Sequence, residues 1–280
     1  MDQVTKKAAL RNTVKNWRQQ ALSVALVPTM GNLHTGHLQL VKQLKELADK
    51  VVVSIFVNPT QFVEGEDFET YPRTIEEDLE KLKTIKPDLI FIPDVDEIYP
   101  SGANLETKVV VPELDGIFCG AFRPGHFAGV ATVVSKLLNM VQPDIAIFGN
   151  KDYQQLLVIK KLVADLCIPV EIIGAETVRE TSGLALSSRN RYLTQEEKEI
   201  AAEIYQTLTK ISDAIKSGDD NLHQIEADAV DYLEDKGFKT EYLSIRDAEN
   251  LGEPTDKDLV VLIATWLGKA RLIDNIKIKR

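Results

Sequence analysis

The stretch VPTMGNLHTGHLQL, Val27 to Leu40, decides how the fold is read. An apolar run ends at Pro28, a loop spans Thr29–Thr35, and His34 and His37 bracket Gly36. Beyond them Leu40, Val41, Leu44, Leu47 and Ala48 fall at i, i+1, i+4, i+7 and i+8, which predicts an amphipathic helix. A strand that turns straight into a helix places this loop at the carboxyl edge of a parallel sheet, where such folds bind ligands. Gly36 lets the backbone approach a ligand closely, and the free N–H groups and dipole of a helix start favour an anion. Histidines donate hydrogen bonds and can carry charge beside an anion. The combination points to a phosphate group. Zinc is the competing reading, with His126 as a third ligand. However, HEXXH is absent, and no cysteine or carboxylate flanks the pair. The plain alternative is a pair of incidental polar loop residues.

Outward from this turn, strand-like runs alternate with helical ones. ALSVALVP (Ala21–Pro28), VVVSIFV (Val51–Val57), LIFIP (Leu89–Pro93), DIAIFG (Asp144–Gly149) and VEIIG (Val170–Gly174) are short, β-branched and bounded by Pro, Gly, Asn or Asp. They barely alternate, as expected of strands buried on both faces. Helical patterns lie between them: TIEEDLEKLKTI, opening with a Thr74-x-x-Glu77 capping box, then GVATVVSKLLNMV and DYQQLLVIKKLVADL. The expectation is an α/β fold, a Rossmann-like doubly wound parallel sheet.

After Arg191 the pattern changes. Thr194-x-x-Glu197 caps a long polar amphipathic helix running toward Gly218, and a second helix covers roughly Leu222–Lys236. TEYLSIRDAENL, DLVVLIATWLG and ARLIDNIKI then read as antiparallel strands, with a turn near Gly268-Lys269. A boundary near residues 176–182 is expected, separating a Rossmann-like region over 1–177 from a smaller α+β region over 178–280.

A 280-residue chain that is 44% apolar can build such cores. Its formal charge of -10 argues against wrapping on nucleic acid. Cys119 and Cys167 lack CxxC spacing and read as two buried, reduced thiols. The N-terminus carries no apolar signal region, and no apolar run approaches ~18 residues. The expectation is a cytoplasmic protein with no membrane span.

Four further clusters fall at strand ends or helix starts: NPTQF (Asn58–Phe62), RPGHF (Arg123–Phe127), GNKDYQQ (Gly149–Gln155) and SSRN (Ser187–Asn190). They offer amides, hydroxyls, a lysine and guanidinium groups, the donors a phosphorylated or carboxylated ligand needs. Taken singly, each also reads as a solvated or salt-bridged surface group.

With these residues in view, the sequence resembles the pantoate–β-alanine ligases (pantothenate synthetases) of the HxGH nucleotidyltransferase superfamily. The resemblance is carried in order by PTMGNLHTGH, FVNPTQF, YPRT, RPGHFAGVATVV, FGNKDYQQ and VRETSGLALSSRNRYL, from about Val27 to Leu193, and continues more loosely to the end. It implies a two-step reaction: pantoate attacks the α-phosphate of ATP, and β-alanine then captures the pantoyl adenylate. It also implies Mg2+ and a homodimer. By position, Met30, Gly31, Asn32, Leu33, His34, Thr35, Gly36 and His37 would line the ATP site, with His37 as proton donor. Gly149, Asn150, Lys151, Asp152, Val178, Leu186, Ser187, Ser188 and Arg189 would complete it. His34, His37, Lys151 and Arg189 would carry the catalysis. Gln61 and Gln155 would hold pantoate, Gln61 near β-alanine as well, with Arg123 and His126 beside them. Phe62 and Met30 are candidates for the gem-dimethyl face of pantoate, and Glu77 and Asp78 would be the metal-binding acids.

The family commonly has Ala, Glu, Asp and Met where Asn32, Asn150, Ser182 and Leu186 stand here. The Asn150 departure removes a negative charge beside Lys151. SSRN lies at the domain boundary, so Ser187, Ser188 and Arg189 are expected to act as part of a lid, the alternative being an ion pair of Arg189 with Glu180. Two other functions compete: another HxGH transferase with a phosphate acceptor, and a non-catalytic nucleotide sensor.

Overall fold

The strands form where β-branched residues cluster between breakers, and burial on both faces explains why they scarcely alternate. The computed structural model describes residues 1–103 and 105–280. Six parallel strands make one sheet: β1 (Asp2–Val4), β2 (Val24–Thr29), β3 (Lys50–Ile55), β4 (Leu89–Phe91), β5 (Ile145–Gly149) and β6 (Glu171–Ala175), in the order β1-β4-β3-β2-β5-β6. The helices are α1 (Lys7–Gln19), α2 (Thr35–Leu47), α3 (Ile75–Lys83), the one-turn α4 (Val95–Ile98), α5 (Pro112–Asp115) and α6 (Cys119–Phe122), then α7 (His126–Val141) and α8 (Tyr153–Asp165). The expected doubly wound architecture is therefore present. Strand order reverses between β2 and β5, and the His34–His37 turn follows β2, on the carboxyl side of that switch point.

Val24 to Val27 of β2 and Val51 to Val53 of β3 are essentially inaccessible, and Val41 and Leu44 of α2 pack into the same core. Leu47, expected on that face, is exposed. Strand β1 has no counterpart in the sequence pattern: three residues with a single apolar side chain give no periodicity, and pairing with β4 holds them. The predicted Thr74 capping box does not form. Thr74 makes no side-chain cap, and its hydroxyl donates to Asp78 Oδ2 at 3.3 Å instead.

The chain divides into two compact units, Met1–Asn150 with Val158–Ala175, and Lys151–Leu157 with Glu176–Arg280. The second unit takes in the first turn of α8 because Tyr153 donates its hydroxyl to Ala248 O at 2.7 Å, and Asn275 Nδ2 donates to Lys151 O at 2.9 Å. Its other elements are α9 (Gln195–Ala201), α10 (Glu203–Lys216), α11 (Leu222–Asp235) and the antiparallel strands β7 (Lys239–Asp247), β8 (Leu259–Leu267) and β9 (Ala270–Ile278). The Thr194–Glu197 capping box forms in full, with bonds of 3.1 and 2.7 Å. The long helix expected beyond it breaks at Ala202 into α9 and α10. The β8–β9 hairpin turns on Gly268-Lys269 as expected, with Gly268 at φ +54°. Leu208, Leu233, Ile245, Val261 and Ile278 form this unit's core. Both cysteines are free; Cys119 is buried as expected, but Cys167 is exposed. Among the described residues no helix is long and apolar enough to cross a membrane.

Candidate active site

The two histidines build the helix mouth with one nitrogen each. His34 is the N-cap of α2, and its Nδ1 accepts from Gly36 N at 3.2 Å. His37, three residues on, accepts from His34 N through its own Nδ1 at 3.3 Å. This is a reciprocal capping box made from imidazoles, where sequences more often use Ser and Glu. Because both Nδ1 atoms accept, each neutral ring carries its proton on Nε2. The rings lie 4.1 Å apart, tilted by 40°. The arrangement presents two N–H donors at a helix N-terminus, a place where backbone dipoles already favour anions.

The loop before them is braced from beneath. Asp78, 0% exposed, accepts Asn32 N at 2.8 Å and Leu33 N at 2.7 Å. Lys81 Nζ donates to Leu33 O at 2.9 Å and stands 4.0 Å from the Asp78 carboxylate. Gly31 has φ +82°, and a Cβ there would lie 3.0 Å from Asp78 Oδ2. Asn32 also has positive φ, 49°, a conformation asparagine tolerates better than alanine. Asp78 was expected to bind a metal, but its oxygens are committed to these donors. Glu77 is 70% exposed and faces Lys81 at 3.9 Å. Among the described residues no group of three or more His, Cys, Asp or Glu could hold an ion.

A second polar cluster follows β3. Asn58, buried at the start of the 3-10 turn Pro59–Gln61, accepts from Tyr99 Oη at 2.8 Å and from Thr60 N at 3.4 Å. Its Nδ2 donates to Gly129 O at 3.2 Å and to Gln61 Oε1 at 3.1 Å. The backbone partners fix the Asn58 amide: Gly129 O can only accept, and Thr60 N can only donate. Gln61, 9% exposed, must then offer its oxygen to Asn58 and direct Nε2–H the other way, where Met30 Sδ lies at 3.0 Å. Gln61 is thus set as a donor suited to a carboxylate or hydroxyl oxygen.

Arg123 and His126 were expected to touch the same ligand, and the structure turns both inward. Arg123 forms a two-pronged ion pair with Glu66, with Nη2 to Oε2 at 2.7 Å, and donates to His126 Nε2 at 2.9 Å. His126 is 7% exposed. Phe62 packs against Phe68 in a tilted pair and against Tyr71 edge-to-face, at centroid distances of 5.2 and 5.6 Å. Tyr99 and Glu66 carried no role in the sequence reading, and Asn58 entered it only as the first residue of the NPTQF cluster.

In the second unit, Lys151 and Ser187 line one small pocket together with Asn190 and Asp274. Ser187 Oγ accepts Arg189 N at 3.2 Å and starts the 3-10 turn Ser188–Tyr192. Asn190 donates to Ala185 O at 3.0 Å, while its buried Oδ1 has no hydrogen-bond partner among the described residues. Asp274 is held by Arg179 at 2.6 and 2.9 Å. Leu186 N donates to Val178 O at 2.9 Å, so these two expected site residues are backbone neighbours. Burial pushes the Tyr153 hydroxyl up to about 12, helped by the nearby acids Asp258, Asp247 and Glu249. Gln155 is half-buried on α8, and Asp152 closes the turn before that helix. Gly149 ends β5 and Asn150 follows it.

The family model for pantoate-β-alanine ligase matches residues 2–277. The chain belongs to the pantoate-β-alanine ligase family. A pantothenate synthetase of Aeromonas hydrophila is 52% identical over 274 residues, 97% of this chain and 96% of that one. One from Idiomarina loihiensis is 52% identical over 95% of each. A pantothenate synthetase structure from Thermus thermophilus covers both chains fully, with TM-score 0.89 and 42% identity. The Francisella tularensis pantoate-β-alanine ligase, described as complexed with β-γ ATP and β-alanine, gives TM-score 0.82 and 36% identity over 99% of this chain and 97% of that one. This ligase thus pairs the doubly wound sheet with the histidine-capped turn that its sequence announces.

Proposed function

We propose that this chain condenses pantoate with β-alanine to pantothenate through a pantoyl adenylate, converting ATP to AMP and pyrophosphate. The observation that carries the reading is the imidazole capping box, whose Nδ1 atoms serve the helix so that each ring's N–H lies on Nε2. In the first step a pantoate carboxylate oxygen bonds to the α-phosphorus, and the bond to the pyrophosphate oxygen breaks. A carboxylate is already a nucleophile, so the step needs positioning and stabilisation of charge rather than a strong base. His34 and His37 are proposed to stabilise the phosphate oxygens, aided by the N–H groups of α2, with His37 as the proton donor. In the second step the amine of β-alanine attacks the acyl carbon, AMP leaves, and the amine loses a proton.

Residues 30–37, Gly149, Asn150, Asp152, Val178 and Leu186 are proposed as ATP contacts, with Lys151, Ser187, Ser188 and Arg189 toward its triphosphate. Gln61 and Gln155 are proposed to hold pantoate, Gln61 through its Nε2–H. Magnesium is proposed to arrive on the ATP phosphates as part of the substrate, since neither Glu77 nor Asp78 fits as a ligand. The full-length match to the family also supports a homodimer in the cytoplasm.

The test is ATP–pyrophosphate exchange. It is expected to require pantoate and to proceed without β-alanine. Exchange that ignores pantoate, or that needs a phosphate-bearing acceptor, would assign the chain to a different transferase, and binding of ATP without any exchange would make it a sensor.

A further inference from the structure

Gln61 sits in a turn that does little to hold itself. The 3-10 segment Pro59–Gln61 is three residues long, and its closing bond, Phe62 N to Pro59 O, is 3.4 Å. Helix α7 supplies what the turn lacks. His126 Nδ1 lies 2.7 Å from Gln61 O. His126 Nε2 lies 2.9 Å from Arg123 Nη1, and Arg123 Nη2 reaches Gln61 O at 3.4 Å. Arg123 is anchored by both carboxylate oxygens of Glu66, and the pair is 11% and 17% exposed. Glu66 Oε2 also accepts Val63 N at 3.3 Å.

The direction of every bond follows from chemistry. A guanidinium only donates, so His126 Nε2 must accept. The ring proton therefore sits on Nδ1 and is donated to the carbonyl of Gln61, which can only accept. This is the opposite tautomer to that of His34 and His37.

We propose that Glu66, Arg123 and His126 form a positioning relay that fixes the backbone of Gln61, and that Arg123 and His126 serve the reaction through Gln61 rather than by touching the substrate. The inference rests on the reading of Gln61 as a pantoate amide. Asn58 secures the side-chain amide and the relay secures the main chain, so the ligand-facing Nε2–H is held from both ends. Partners of this kind set how well a binding group is pre-organised.

Two measurements test it. Nitrogen-15 NMR of the unaltered, histidine-labelled protein, with His126 assigned through His126→Asn, reads the tautomer directly and does not depend on any variant folding well. A protonated Nδ1 with an acceptor Nε2 is expected; the reverse overturns the relay. In steady-state kinetics, His126→Ala is expected to raise the pantoate KM about tenfold, the scale of one lost hydrogen bond, and to leave the ATP KM nearly unchanged. His126→Asn, which keeps a donor near the Nδ1 position, should recover most of the loss. A Gln61→Ala, His126→Ala double variant should be no worse for pantoate than Gln61→Ala alone, since the relay acts through that residue. Additive losses, or equal damage to the ATP and pantoate KM values, overturn the proposal. If Gln61→Ala leaves the pantoate KM unchanged, the assignment of Gln61 falls and the relay loses its purpose. An impaired Gln61→Ala alongside the reversed His126 tautomer overturns the relay alone.

Discussion

Asp78→Asn replaces one carboxylate oxygen with an amide nitrogen and keeps the shape. The carboxylate accepts two backbone donors, Asn32 N and Leu33 N, at 2.8 and 2.7 Å, in a site with no solvent exposure. An asparagine can keep one of them; the other N–H then faces an NH2 group. The change forfeits one charge-assisted bond and leaves a buried donor unmet, for a combined loss of about 2–4 kcal/mol. The ammonium of Lys81, 4.0 Å away and partly exposed, contributes little to that figure. Trp17 belongs to the first compact unit and Trp266 to the second, so urea unfolding followed by Trp17 fluorescence in a Trp266→Phe background reads the affected unit. The midpoint should fall, and the ATP KM should rise because the loop ahead of His34 loosens. A weakened response to magnesium at an unchanged urea midpoint would refute this reasoning and restore Asp78 as a metal ligand.

Gly129→Ala would set a Cβ 2.2 Å from Thr60 O, where ordinary contact begins at 3.4 Å, so one backbone must yield by about 1 Å. Turnover should drop about 100-fold with the ATP KM nearly constant, as steady-state kinetics would show. His37→Gln keeps an acceptor for His34 N and should melt close to the parent, yet lose ~10²–10³ in pyrophosphate exchange; a rate near that of the parent would remove His37 from the catalysis. Tyr153, pushed up to about 12 from an ordinary 10, contributes stability that is complete below pH 10 and lost as pH rises from 10 to 12. Ultraviolet titration against Tyr153→Phe should show the missing hydroxyl as the one that ionises near pH 12.

The turn after β2 was legible because its signals are local: an apolar run, a glycine and a helical period between Ala21 and Ala48. The roles of Asp78 and Arg123 were not. An acid in the first turn of a helix reads the same whether it faces water or a loop, and the donors that bury Asp78 lie 45 and 46 residues away. Arg123 and His126 show their residue types in sequence but not the Glu66 and Gln61 that occupy them. The Thr74 box failed for a related reason: its hydroxyl accepts no helix N–H and is turned to donate to Asp78, an orientation that spacing alone does not reveal. Strand β1 has one apolar residue, so only its neighbour β4 makes it a strand.

In the proposed reading, each histidine of the helix mouth divides its two nitrogens between architecture and chemistry. Nδ1 starts the helix, and Nε2 carries the proton that a bound anion would meet. Reciprocal capping works only between the N-cap and the third residue inside, so the interval between the rings is dictated by the pitch of a peptide helix and not by any substrate. A one-residue insertion would undo the helix start and the donor pair together. The same interval is equally serviceable for any phosphate-bearing molecule. The spacing is therefore compatible with a phosphate site but leaves the acid unnamed, and in the proposed reading the choice of acid falls to residues held elsewhere, such as Gln61.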